Sequence, residues 1–148
     1  MQVGTKSYQL ALREANKKHP DNKKVTLLLN RAMKARDPNA AYALGTWYLH
    51  GHVFEKNIKK GTLLMMRAAR GLVPNANYNL AISYEKGLGV KKNERRAFEL
   101  YLTAALLGEK RSLFEVGRCY YYGIGTKKDI NTGRIWFKRA KQLGVKRS

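Results

Sequence analysis

The chain has 148 residues, the length of one domain. Thirty Lys and Arg against ten Asp and Glu give a formal net charge of +20, which attracts anionic protein surfaces, nucleic acid or anionic lipid and leaves few carboxylates for acid–base chemistry. The single cysteine, Cys119, excludes an intramolecular disulfide, and no stretch approaches the roughly 18 apolar residues of a membrane span.

The amino-terminal segment, Met1 to Pro20, carries Lys6, Arg13, Lys17 and Lys18 without an apolar run of about seven residues, so a secretory signal is not expected. Residues 4–39 become legible only beside the more regular segments at 40–148. Between Ala76 and Arg111 the chain reads Leu80-Ala81-x-x-Tyr84, Gly87-Leu88-Gly89-Val90, Asn93, Arg96-Ala97, Tyr101 and Ala104-Ala105. The same landmarks stand 36 residues earlier as Leu44-Gly45-x-x-Tyr48, Gly51, Asn57, Lys60-Gly61, Met65 and Ala68-Ala69. They return 36 residues later as Val116-Gly117-x-x-Tyr120, Gly123-Ile124-Gly125, Asp129, Gly133, Phe137 and Ala140. On this ruler Tyr8 falls on Leu44, Leu12 on Tyr48, Ala15 on Gly51, Asp21 on Asn57, Leu29 on Met65 and Ala32 on Ala68. Residues 4–39 are thus a degenerate first copy whose Gly-x-Gly turn has become Asn16-Lys17-Lys18-His19, as suits a terminal unit that packs on one side.

Within each copy the apolar period is helical. Ala41, Leu44, Gly45 and Tyr48 recur at i, i+3, i+4 and i+7, one face of a helix. The small residues Gly45, Ala81 and Gly117 permit close approach of the second helix of a hairpin. Asp21, Asn57, Asn93 and Asp129 stand where a side chain caps that helix, and Pro38 and Pro74 punctuate the junctions between copies. Eight helices of about ten to fourteen residues are predicted.

The pattern resembles the Sel1-like repeat, a relative of the tetratricopeptide repeat built from two antiparallel helices. Residues 76–108 match its motif at nearly every place; residues 40–71 and 112–144 match with departures, Val53-Phe54 standing where Gly-Val is expected and Thr126 where Val is. The resemblance implies an all-α fold, a right-handed α-solenoid of about four helix-turn-helix repeats with a 36-residue period. It forms one domain over 1–148, with repeats at 4–39, 40–75, 76–111 and 112–148. Many secreted relatives of this family are stapled by disulfides, so a lone cysteine implies a reducing, cytoplasmic location.

Chemistry-bearing motifs are weak. Gly87-Leu88-Gly89-Val90-Lys91-Lys92 precedes a helix but lacks Walker spacing and follows a helix, and reads as a tight turn. His50-Gly51-His52 has no third ligand nearby, and Cys119 reads as an inert thiol despite the adjacent Arg118. No paired base and nucleophile shares a face, so no catalytic residue, cofactor or metal is expected.

Two features point to binding. Basic residues repeat at equivalent places in the turn and the first turn of the second helix: Lys56, Lys92 and Lys128; Lys23, Lys59 and Arg95; Lys24, Lys60 and Arg96. Cations there oppose the helix macrodipole by a few tenths of a kcal/mol each, roughly, and Lys56, Lys59, Lys92, Arg95 and Lys128 are expected to form a basic edge. In tetratricopeptide-like solenoids the first helix of each hairpin lines a concave groove. The resemblance then places there Tyr42, Thr46, Leu49 and His50, then Tyr78, Ile82, Glu85 and Lys86, then Phe114, Arg118, Tyr121 and Tyr122. Aromatic and Arg residues are enriched at binding hot spots.

The expectation is a non-enzymatic protein-binding module, monomeric when free, that clamps an acidic protein, as an adaptor in signalling or secretion or as an inhibitor or immunity protein masking a toxin. No membrane association is expected. The rival is an RNA- or DNA-binding helical-repeat protein, against which no polar residue recurs as a base-reading code would require.

Overall fold

The same local devices close every hairpin. Asp21, Asn57, Asn93 and Asp129 have extended backbones, and their side chains accept from the backbone N–H of Lys24, Lys60, Arg96 and Thr132 at 3.1, 3.0, 3.0 and 3.0 Å. Each such cap stabilises its helix by about 1 kcal/mol. These are the four positions that the 36-residue register predicts. Pro38 and Pro74 open their helices, where a missing N–H leaves nothing unsatisfied.

A computed structural model describes residues 3–146; Met1, Gln2, Arg147 and Ser148, the ends of the domain expected over 1–148, lie outside the described residues. Among the described residues there are eight α-helices and no strand: α1 (Val3–Ala15), α2 (Asn22–Lys34), α3 (Pro38–His50), α4 (Ile58–Arg70), α5 (Pro74–Lys86), α6 (Glu94–Leu106), α7 (Arg111–Tyr122) and α8 (Ile130–Gln142). They form the hairpins α1–α2, α3–α4, α5–α6 and α7–α8, grouped in two compact units, residues 1–71 and 72–148.

In the first unit, α2 packs on α3 around a core of Ala11, Val25, Leu28, Leu29, Ala32, Ala40 and Leu44, flanked by Tyr8, Trp47, Phe54 and Leu64. Gly45 and Gly61 bring α3 and α4 together: a Cβ on either would lie 3.1 or 3.0 Å from the other's carbonyl oxygen. The α1–α2 connection lacks a glycine turn and is held by Glu14 instead. That buried carboxylate accepts from Lys17 Nζ at 2.6 Å and the Asp21 N–H at 3.3 Å. Leu12, which the ruler sets at the place of Tyr48, is exposed, and Ala11 and Glu14 take the buried places beside it.

In the second unit, α6 packs on α7, and the core includes Leu80, Ala81, Leu100, Tyr101, Val116 and Cys119. Gly117 and Gly133 repeat the close helix approach, a Cβ on Gly133 falling 2.9 Å from the Gly117 carbonyl oxygen.

Backbone strain also follows the 36-residue register. The residues just past α2, α4, α6 and α8 all occupy the left-handed region: Arg36 (φ 64°), Leu72 (φ 59°), Gly108 (φ 92°) and Gly144 (φ 75°). Glycine adopts this conformation freely, whereas Arg36 and Leu72 do so at a cost of about 1 kcal/mol each. Val53, at φ 67°, is a sharper departure because its side chain is β-branched. The turn residue 72 positions later, Gly125, has φ 69°, and a Cβ there would collide with the Glu94 carbonyl. Val53 puts a side chain in that place. It lines, with Asn22, Leu27 and Phe54, an open cavity of about 490 Å³ beside the start of α2.

Candidate interaction surfaces

In the second unit the expected groove residues lie on α5 and α7, and a buried-edge polar network ties the two helices together. The Arg118 guanidinium donates through Nε to Glu115 at 2.8 Å and through a terminal nitrogen to Glu85 at 2.8 Å. The Tyr101 hydroxyl of α6 donates to the same Glu85 carboxylate at 2.7 Å. The side chains of Arg118, Glu85 and Glu115 are 25%, 21% and 14% exposed, so the charges are largely withdrawn from water. Burial disfavours the Arg118 cation, but Glu115 and Glu85 outweigh it and raise its pKa above the ordinary value. Burial, reinforced by the bond to Glu85, likewise raises the Tyr101 pKa and keeps the phenol a donor. Arg118 is therefore a cation already matched by two carboxylates, and its place is structural as much as it is on a face.

The aromatic residues divide by exposure. Phe114 and Tyr121 are half-buried against Phe137 of α8, with ring centroids 5.1 and 5.8 Å away. Tyr122 meets Tyr121 edge-on at 4.9 Å and is 57% exposed. Tyr78 is half-buried: the Arg111 guanidinium lies over its ring at 4.1 Å and also reaches Glu109 at 2.7 Å and Asn75 at 3.4 Å. Ile82 is half-buried, and Lys86, in the last turn of α5, is exposed.

In the first unit, Tyr42 is half-buried, and its backbone carbonyl accepts from the Thr46 hydroxyl at 2.9 Å. Leu49 fills the space a Cβ on Gly61 would occupy, its Cγ 2.7 Å from that point, so it packs the α3–α4 hairpin. His50 is exposed at the end of α3.

The lysines expected at a basic edge share a local turn geometry. Lys56, Lys92 and Lys128 pass beneath the left-handed glycines Gly51, Gly87 and Gly123, where an added Cβ would meet each lysine Cβ at 3.2, 3.4 and 3.1 Å. The turn thus fixes the three side chains alike. Their electrostatics differ: Lys92 pairs with Glu94 at 3.7 Å and Arg95 with Glu99 at 3.6 Å. Lys56, Lys59 and Lys128 are exposed. Cys119 is buried, and burial, with Glu85 and Glu115 adding to it against Arg118, pushes the thiol up to about 12.

Three stretches, residues 38–71, 74–109 and 110–145, match the Sel1 repeat. The chain belongs to the Sel1 repeat family. Proteins of this family are protein-interaction modules, and their fold is generally a non-catalytic scaffold. Among curated proteins none matches the chain significantly. The chain is similar in fold to a solved Sel1 repeat protein from Oxalobacter formigenes, with 21% identity and a TM-score of 0.87 over 95% of this chain and 59% of that one. It is also similar to a protective antigen of uropathogenic Escherichia coli strains displaying an SLR fold, with 24% identity and a TM-score of 0.88 over 95% of this chain and 31% of that one. Cysteine rich protein B of Helicobacter pylori is 24% identical, with a TM-score of 0.60 over 81% of this chain and 91% of that one. The chain spans less than two thirds of the first two.

The α1–α2 hairpin lies before the first matched Sel1 repeat but carries the same Asp21 cap and the same left-handed exit, at Arg36. Sequence reasoning missed the Arg111–Tyr78 stack and the role of Glu85 and Glu115. The 36-residue spacing of Arg111 from Asn75 was a signal for the first. The second had none, because Glu85 and Arg118 are 33 apart and fall at different places in their repeats.

Proposed function

We propose that this Sel1 chain is a non-enzymatic interaction module that binds an acidic protein in the cytoplasm, as an adaptor or as an inhibitor of the immunity-protein kind. The observation that carries the reading is the Tyr121–Tyr122 pair. Tyr121 is fixed by Phe137, and Tyr122 stands 57% exposed beside it, an aromatic anchor already ordered before a partner arrives. The net charge of +20 selects an acidic partner and speeds its approach. Exposed Lys56, Lys59, Lys86 and Lys128 contribute to that charge, whereas Arg118 is neutralised where it lies.

Tyr122→Ala tests this. Binding to the captured partner should weaken by more than about 1 kcal/mol, roughly fivefold, with the thermal midpoint unchanged. An unaltered affinity would remove Tyr122 from the interface.

A further inference from the structure

Outside these surfaces, the first unit gathers four cations around one half-open cavity of about 620 Å³. Lys34 closes α2, Arg36 stands just beyond it, and Arg67 and Arg70 lie in the last turn of α4. Gly71 brings the groups together, since a Cβ there would run into Pro38; the end of α4 is thereby closed onto the start of α3. Among the described residues none of the four cations has a carboxylate within ion-pair distance. Six of the ten carboxylates, Glu14, Glu85, Glu94, Glu99, Glu109 and Glu115, are paired with other cations. Asp37 lines the same cavity, but it caps α3 through the Asn39 N–H at 2.9 Å.

Helix dipoles account for three of these cations, because Lys34, Arg67 and Arg70 stand at helix C-termini. They do not account for Arg36. It lies past the helix, in the left-handed conformation that Gly108 and Gly144 fill at the equivalent places, and the strain delivers a guanidinium to the cavity wall.

We propose that this bay is the docking site for two or more closely spaced carboxylates on an acidic segment of the protein partner. The proposal rests on the acidic-partner reading above. All four cations are exposed, and an exposed pair contributes little singly, so a lone small anion gains little here. A segment that engages several at once, with its methylenes against half-buried Met33 and Pro38, sums those contacts, and each Arg fork takes a carboxylate bidentately.

The test uses the full chain and fluorescein-labelled hexaglutamate, read by anisotropy at about 0.15 M NaCl, where longer-range attraction is screened. Arg67→Glu with Arg70→Glu is compared with Arg134→Glu with Lys138→Glu on α8, which makes the same change in net charge. The bay variant should bind at least about tenfold more weakly and the α8 variant less than about threefold. Arg36→Gly should weaken binding with no fall in thermal midpoint, which separates docking from folding. Equal losses in the two charge-reversed variants would overturn the bay and leave the acidic-partner reading standing. Competition by inorganic pyrophosphate as strong as by unlabelled hexaglutamate would make it a small-oxyanion site and overturn the proposal. Absence of hexaglutamate binding to the unaltered chain would overturn the bay; the acidic-partner reading would fall separately, on retention of nucleic acid instead of protein at high salt.

Discussion

Arg118 on α7 and Glu85 on α5 are joined at 2.8 Å across 33 residues of chain, and Glu115 holds the other edge of the same guanidinium. Arg118→Ala leaves two carboxylates, 21% and 14% exposed, without a counter-charge. A loss of about 2 kcal/mol in urea denaturation is expected, less than for a fully buried pair because water still reaches the site. Adding Glu85→Gln should restore part of it. A loss of binding in Arg118→Ala is therefore no measure of contact with a partner, and Tyr122 is the cleaner probe.

Glu109 gives stability a pH dependence of definite sign. Burial raises its pKa, but bonds from Arg111 and Ser112 outweigh burial and hold it below the ordinary 4.5. With the folded value depressed, the contribution is fully present above the unfolded pKa and is lost as pH falls through the folded one. Denaturation midpoints should decline on acidification below about pH 4.5. Glu109→Gln should lower stability at neutral pH and flatten that decline, and an equally steep acid limb in the variant would assign it to other carboxylates.

The left-handed helix exits predict opposite signs for putting glycine in and taking it out. Leu72→Gly should stabilise by about 0.5–1 kcal/mol, since Leu72 is 60% exposed and little packing is lost. Gly108→Ala should destabilise by about 1 kcal/mol through backbone strain alone, because nothing lies within 4 Å of the added Cβ. At Gly125 the same exchange meets the Glu94 carbonyl as well and should cost several-fold more, about 3 kcal/mol or above. Chemical denaturation of the three variants measures all of this.

The fold was legible because each device repeats: one capping residue in phase four times is a stronger signal than any single Asn or Asp. The left-handed exits at Arg36, Leu72, Gly108 and Gly144 also stand 36 apart, but only the backbone conformation shows that they are equivalent. The surfaces were less legible. Whether Tyr121 and Leu49 face a partner or their own hairpin depends on contacts with Phe137 and Gly61, side chains whose packing no spacing encodes. The family resemblance leads one to expect Leu49 in a groove, and the structure shows it packed in the α3–α4 hairpin. The pairing of Arg118 depends on a rotamer reaching between helices, which equivalence of positions does not contain.

Cys119 offers a probe of opening. Its thiol is buried and pushed up to about 12, so thiolate is scarce near neutral pH and access is closed. Labelling by an aromatic disulfide at about pH 8 should be slow in the native state and complete in denaturant, its rate following local opening of α7. Prompt stoichiometric labelling of the native chain would show the second unit to be looser than its packing implies.

The claim that this chain recognises a protein is tested most directly by the salt dependence of what it holds. Any polyanion binds a +20 chain at low salt, but affinity for nucleic acid falls by about 0.7 to 0.9 log units per log unit of salt for each neutralised phosphate. An interface with an apolar centre loses mainly its electrostatic steering. Capture from native lysate at about 0.5 M NaCl should retain one acidic protein and release nucleic acid. Retention of a defined RNA at that salt, without protein, would contradict the account.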